Sequence, residues 1–135
     1  MNNKNKQYRK EKRNHKKLLC SYRKKLRKIA KNANPYHYED AIELFITMLH
    51  FMRDYYAENT HVFAEEDPAC NRLESLNEAI RLYDNIKNFR NNFHMKYNDT
   101  EHYTKENIEN ARKEYAELKK KFAVYVSEHI EYWWD

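Results

Sequence analysis

Glycine is missing from the whole 135-residue chain, where average usage of about 7% would give roughly nine. Phosphate-cradling loops, dinucleotide-binding turns, nucleophile elbows and EF-hand loops all need a residue that takes positive φ or lets backbone approach a ligand closely. Their absence removes most nucleotide-dependent enzymes. Proline and cysteine are scarce too, with two of each. Cys20 and Cys70 lie far apart and form neither a Cys-x-x-Cys motif nor the close pairs of a disulfide scaffold, so a reducing compartment is the simplest reading. The only apolar run in the basic N-terminal segment is Leu18-Leu19-Cys20, well short of the about 7 to 15 residues of a signal-peptide core. No stretch approaches the roughly 20 apolar residues of a membrane span. A cytoplasmic protein with no membrane partner is expected.

A chain this poor in breakers, 41% hydrophobic and 35% charged, predicts a small all-α protein. Its charge is divided along the sequence. Residues 1–34 hold fourteen lysines and arginines against Glu11 alone, a net of +13, while residues 35–135 hold twelve against twenty acids, a net of −8. Together they make the formal +5 of the chain. The expected organisation is a basic N-terminal helix or arm over 1–34 and an acidic helical-bundle domain over 35–135.

Four helices follow from period and caps. In the basic segment Leu18 or Leu19, Tyr22, Leu26 and Ile29 form one narrow apolar stripe on an otherwise cationic helix, and residues 1 to 14, with Tyr8 their only large apolar side chain, have little reason to fold alone. Asn34-Pro35 offers an N-cap with proline at the first helical position, so a second helix is expected to start there. It carries Tyr38, Ala41, Ile42, Phe45, Met48, Leu49, Met52, Tyr55 and Tyr56 on one broad face, with Leu44 and Phe51 outside it, a sign of contact on more than one side. Asp67-Pro68 repeats the cap signature, and Leu73, Leu76, Ile80, Tyr83, Ile86 and Phe89 follow at helical spacing. A polar connection through Asn91, Asn92, Asn98 and Asp99 then leads to Thr100 or Thr104, either of which can cap the last helix. There Ile108, Ala111, Tyr115, Leu118, Phe122, Tyr125 and His129 alternate steps of three and four, a heptad seam that Trp133 continues. The expected fold is a small antiparallel bundle of three core helices plus the basic one, with residues 35–135 able to fold without it.

The pattern Leu49-x-x-Met52-x-x-Tyr55, then Ala79-Ile80-Arg81-Leu82-Tyr83-Asp84, then the terminal Tyr132-Trp133-Trp134-Asp135 resembles small uncharacterised helical proteins of tailed bacteriophages, of the crAss-like type, that end in Trp-Trp-Asp. The resemblance spans roughly residues 36–135. It implies a phage source and an all-helical body, and it carries no catalytic residues.

Enzyme chemistry finds little support. Bundle di-iron sites need a Glu-x-x-His from each of two helices, and only Glu58-Asn-Thr-His61 fits. Glu43, His50 and Asp54 share a helical face, an arrangement more often a hydrogen-bonded core-edge histidine than a metal site. Neither cysteine has a local histidine to activate it. No catalytic residue, metal or cofactor is expected.

The basic segment is more telling. Arg9, Lys10, Lys12, Arg13, Lys16, Lys17, Arg23, Lys24, Lys25, Arg27, Lys28 and Lys31 surround a helix, with Tyr8, His15 and Tyr22 as candidate stacking groups for bases. Such a rod suits phosphate backbones but spells no base sequence, so RNA, DNA or a ribonucleoprotein is the expected partner. The alternative is a phage interaction or inhibitor factor that binds a host or defence protein through its acidic surface and through Tyr132, Trp133, Trp134 and Asp135. The negative end of the last helix dipole calls for a cation beside Asp135, from residues 23–31 or Arg53.

Overall fold

A computed structural model describes residues 2–34, 37–59, 68–96 and 104–134, without the side chains of residues 59, 68–70 and 94–96. The chain is all-α, with helices α1 (Asn3–Asn32), α2 (Tyr38–Asn59), α3 (Pro68–Lys96) and α4 (Lys105–Trp134), and no strand among the described residues. No described residue has positive φ, in keeping with a chain that lacks glycine. Among the described residues no helix is long and apolar enough to cross a membrane. Packing divides the chain into two compact units, Met1–Leu73 and Glu74–Asp135.

In the first unit α1 and α2 run antiparallel, as their contacts show. Tyr22 on α1 donates its hydroxyl to Asp54 on α2 at 2.5 Å and meets the Phe51 ring edge-on at 5.5 Å. One turn and more towards the N-terminus, His15 meets the Tyr55 ring edge-on at 5.0 Å. The predicted stripe is the inner one, with Tyr22 buried and Leu18, Leu19, Leu26 and Ile29 half-buried. Residues 3–14 join the helix as its first turns, because His15 and Tyr22 anchor the turns beyond them and helix propagation costs far less than nucleation.

Helix α2 begins at Tyr38, later than expected at Asn34-Pro35. The Asp40 carboxylate accepts the Asn34 backbone N–H at 2.7 Å, and the Asp40 N–H donates to the His37 carbonyl. Pro35 itself lies outside the described residues. Contact on more than one side is found. Phe51, Asp54 and Tyr55 face α1, while Ile46 and Leu49, about half a turn around the helix, are also buried. Ile46 was not among the expected face residues, and Tyr38 and Met48, which were, are exposed. α1 thus supplies partners for three α2 side chains, Phe51, Asp54 and Tyr55.

In the second unit the α3 and α4 chains are antiparallel, with Ser75 beside Trp133, Tyr83 beside Phe122, and Phe89 beside Tyr115. Leu76, Ala79, Ile80, Tyr83, Ile86, Ala111, Phe122 and Trp133 are buried, so the heptad seam is the core. Thr104 caps α4, its Oγ1 accepting the Asn107 N–H at 3.2 Å. Helix α3 runs on through Asn91 and Asn92, which the sequence assigns to a connection. The reason is the ring contact of Phe89 with Phe93 and Tyr115, which outweighs the small helix penalty of asparagine.

Candidate nucleic-acid interface

At 100° per residue, Glu11, His15, Tyr22 and Ile29 fall within about 20° of one line on α1, and the twelve basic residues from Arg9 to Lys31 fill an arc of roughly 220° around the rest. All twelve are exposed. The packed line is what fixes this face: burying Tyr22 and half-burying its neighbours rotates every lysine and arginine outward. No acidic residue stands in the first turn of α1, so the positive end of its dipole adds to Lys4 and Lys6 rather than being neutralised. At the other end Lys31 lies in the last turn, where a cation is favoured.

Not all candidate stacking groups are available. Tyr8 is 64% exposed and His15 is exposed, but Tyr22 is buried and engaged by Asp54. Its ring is a structural pin rather than a stacking platform. Burial first, then the hydrogen bond to Asp54 and the negative charge beside it, push the Tyr22 phenol up to about 12. Asp54 is shared: its other oxygen accepts from Arg53, 3.1 Å from Nε and 3.0 Å from the terminal nitrogen. Thus two of the groups considered for other roles, Arg53 as a cation for Asp135 and Asp54 as a metal ligand, are committed to the α1–α2 contact.

Around the C-terminus the four expected contact residues part company. Trp133 is fully buried and donates its indole N–H to the Ser75 hydroxyl at 2.7 Å, so it belongs to the core of its unit and offers no surface to a partner. Trp134 is 48% exposed and Tyr132 half-buried. Asp135 lies outside the described residues, and the cation expected beside it with it. His129 donates its Nδ1–H to the Tyr125 carbonyl at 2.8 Å and stacks between Tyr125, 4.1 Å away, and Trp133, 6.2 Å away. Burial, then the charges of Glu78, Glu128 and Glu74, raise the Tyr125 phenol. On the surface of this unit, Glu78 is held below the usual carboxylate range by its bonds to Arg81.

Among the described residues no group of three or more histidines, cysteines and acids is placed to hold a metal ion. Glu58-Asn-Thr-His61 includes His61, outside the described residues. Cys20 is exposed as a free thiol. Compared with known proteins, the chain matches no family model, no curated protein and no solved structure.

The residues that sequence reasoning missed as partners are Asp54 for Tyr22 and Ser75 for Trp133. Their separations of 32 and 58 positions leave no local signal that could have paired them.

Proposed function

We propose that this chain is a non-enzymatic nucleic-acid-binding protein that holds phosphate backbones on the outer face of α1. The observation that carries the reading is the exposure of all twelve basic residues along one helix whose inner line is pinned to α2. From Arg9 to Lys31 that face is about 34 Å long at 1.5 Å per residue, close to one turn of duplex. Each phosphate neutralised there releases counterions, and only the part of the arc turned towards the strand contacts it, so about five or six contacts are expected. Such contacts position without selecting sequence, and they serve RNA, DNA or a ribonucleoprotein alike. The reading includes a cytoplasmic location, that of an infected bacterial host if the source is a phage.

Fluorescence anisotropy with labelled RNA and DNA oligonucleotides, titrated across salt, tests it. Affinity should fall steeply with salt, with a log–log slope of about −4 to −5. Replacing Arg13, Lys16, Lys24 and Arg27 with glutamine should flatten that slope by about two or more. An unchanged slope would remove α1 as the contact. The interaction-factor reading is supported by the exposed Trp134 indole. Capture of one host protein after nuclease treatment, lost in Trp134→Ala, would favour it instead.

A further inference from the structure

Between the N-terminal turns of α1 and the C-terminal turns of α2, within the first unit, lies a cleft of about 610 Å³. Tyr8, Lys10, Glu11, Lys12, His15, Tyr55 and Glu58 line it. Its chemistry differs from that of the adjoining basic face. Three rings converge on it, and His15 and Tyr55 meet edge to face, an arrangement that holds both rings in place while leaving His15 exposed. Tyr8 is the most exposed large apolar side chain described, and among the described residues it has no ring partner. Two carboxylates face the same space. The Glu11 carboxylate is oriented by the Gln7 amide, which donates to it at 3.0 Å.

Glu11 and Glu58 offset Lys10 and Lys12 in the lining, so the cleft lacks the net positive charge that draws a phosphate to the outer face. Carboxylates accept readily from the amino and imino hydrogens of a base edge, and aromatic rings offer a surface on which any base can stack. Phosphates therefore belong on the lysines and arginines outside, and a base belongs in the cleft. In a duplex the base faces are stacked on their neighbours and the Watson–Crick edges are occupied, so only an unpaired nucleotide can enter.

Resting on the nucleic-acid reading above, we infer that the Tyr8–His15–Tyr55 cleft takes one unpaired nucleobase of a single strand whose phosphates run along the basic face of α1. The chain then prefers single strands to duplex. Both substrates are offered to the full-length protein at one salt concentration: a twelve-nucleotide mixed-sequence RNA, and the same strand annealed to its complement, with binding read by anisotropy. The single strand should bind about tenfold more tightly. Tyr8→Ala, at a ring 64% exposed, should leave the helical melt unchanged, weaken single-strand binding by about five- to tenfold and leave duplex binding as it was. Loss of affinity for both forms equally, or for neither, would overturn the cleft as a base site while a steep salt dependence kept the phosphate reading intact. Failure of the unaltered protein to bind either form would overturn both.

Discussion

The α1–α2 pair of the first unit meets through a phenol, a carboxylate and the edges of rings, and Tyr22 is the one buried side chain that the described part of α1 contributes. The α3–α4 pair of the second unit meets through layers of Leu, Ile, Tyr, Phe and Trp, and eight of the eleven buried apolar residues described belong to that unit. The difference follows from how each helix spends its circumference. A helix with cations over roughly 220° has only a narrow line left for packing, so directional contacts must do what area does elsewhere. An outward electrostatic face and a wide apolar face compete for the same perimeter. In α1 the first has won.

The largest test of this contrast lies in the second unit. Trp133→Ala should lower stability by about 3 to 5 kcal/mol, since it empties a fully buried indole site and removes the indole's bond to Ser75. Trp134→Ala, one residue along and half exposed, should change it by less than about 0.5 kcal/mol. Denaturant titration measures both, and similar losses for the neighbours would contradict the division of roles.

In the first unit the corresponding loss should be smaller and polar in origin. Tyr22→Phe keeps the ring edge on Phe51 but removes the bond to Asp54, at a cost of about 1 to 2 kcal/mol. Amide exchange should quicken in α1 and α2 and stay unchanged in α3 and α4 beyond Leu73. The same bond sets a pH window. The phenol is raised in the folded chain from its ordinary 10.0 to about 12, so its contribution is complete below pH 10 and is lost as pH climbs towards 12. Tyr22→Phe should abolish that alkaline loss, and a variant that melts with the same alkaline profile would show the bond to be without weight.

The smallest effect sharpens the comparison at helix ends. Thr104→Ala removes the side-chain cap of α4 and should cost about 1 kcal/mol, visible as fraying of its first turn. At α1 the Asn2 side chain makes no cap bond, so Asn2→Ala should leave the melt where it was.

Much of this was legible in one dimension. The all-α class, a threonine cap at 100 or 104, the stripe through Leu18 to Ile29 and the seam from Ile108 to Trp133 depend on residues within a few turns of each other, and a helical period displays them directly. The outward basic face of α1 was legible for the same reason: once the apolar line is known, every other position is determined by 100° steps. The aromatic cleft was half legible, since Tyr8 and His15 were visible as stacking groups but Tyr55, Glu58 and their approach from α2 were not.

What only the tertiary structure decided is the pairing of distant side chains. It buried Trp133 and left Trp134 out, took Tyr22 away from the surface, chose Ile46 over Met48, and carried α3 past two asparagines to let Phe93 reach Phe89. A helical period says which residues share a face. It does not say how far one helix slides along its neighbour, and a hydrogen bond such as Trp133 to Ser75 exists at one register alone because its donor and acceptor must come within about 3 Å.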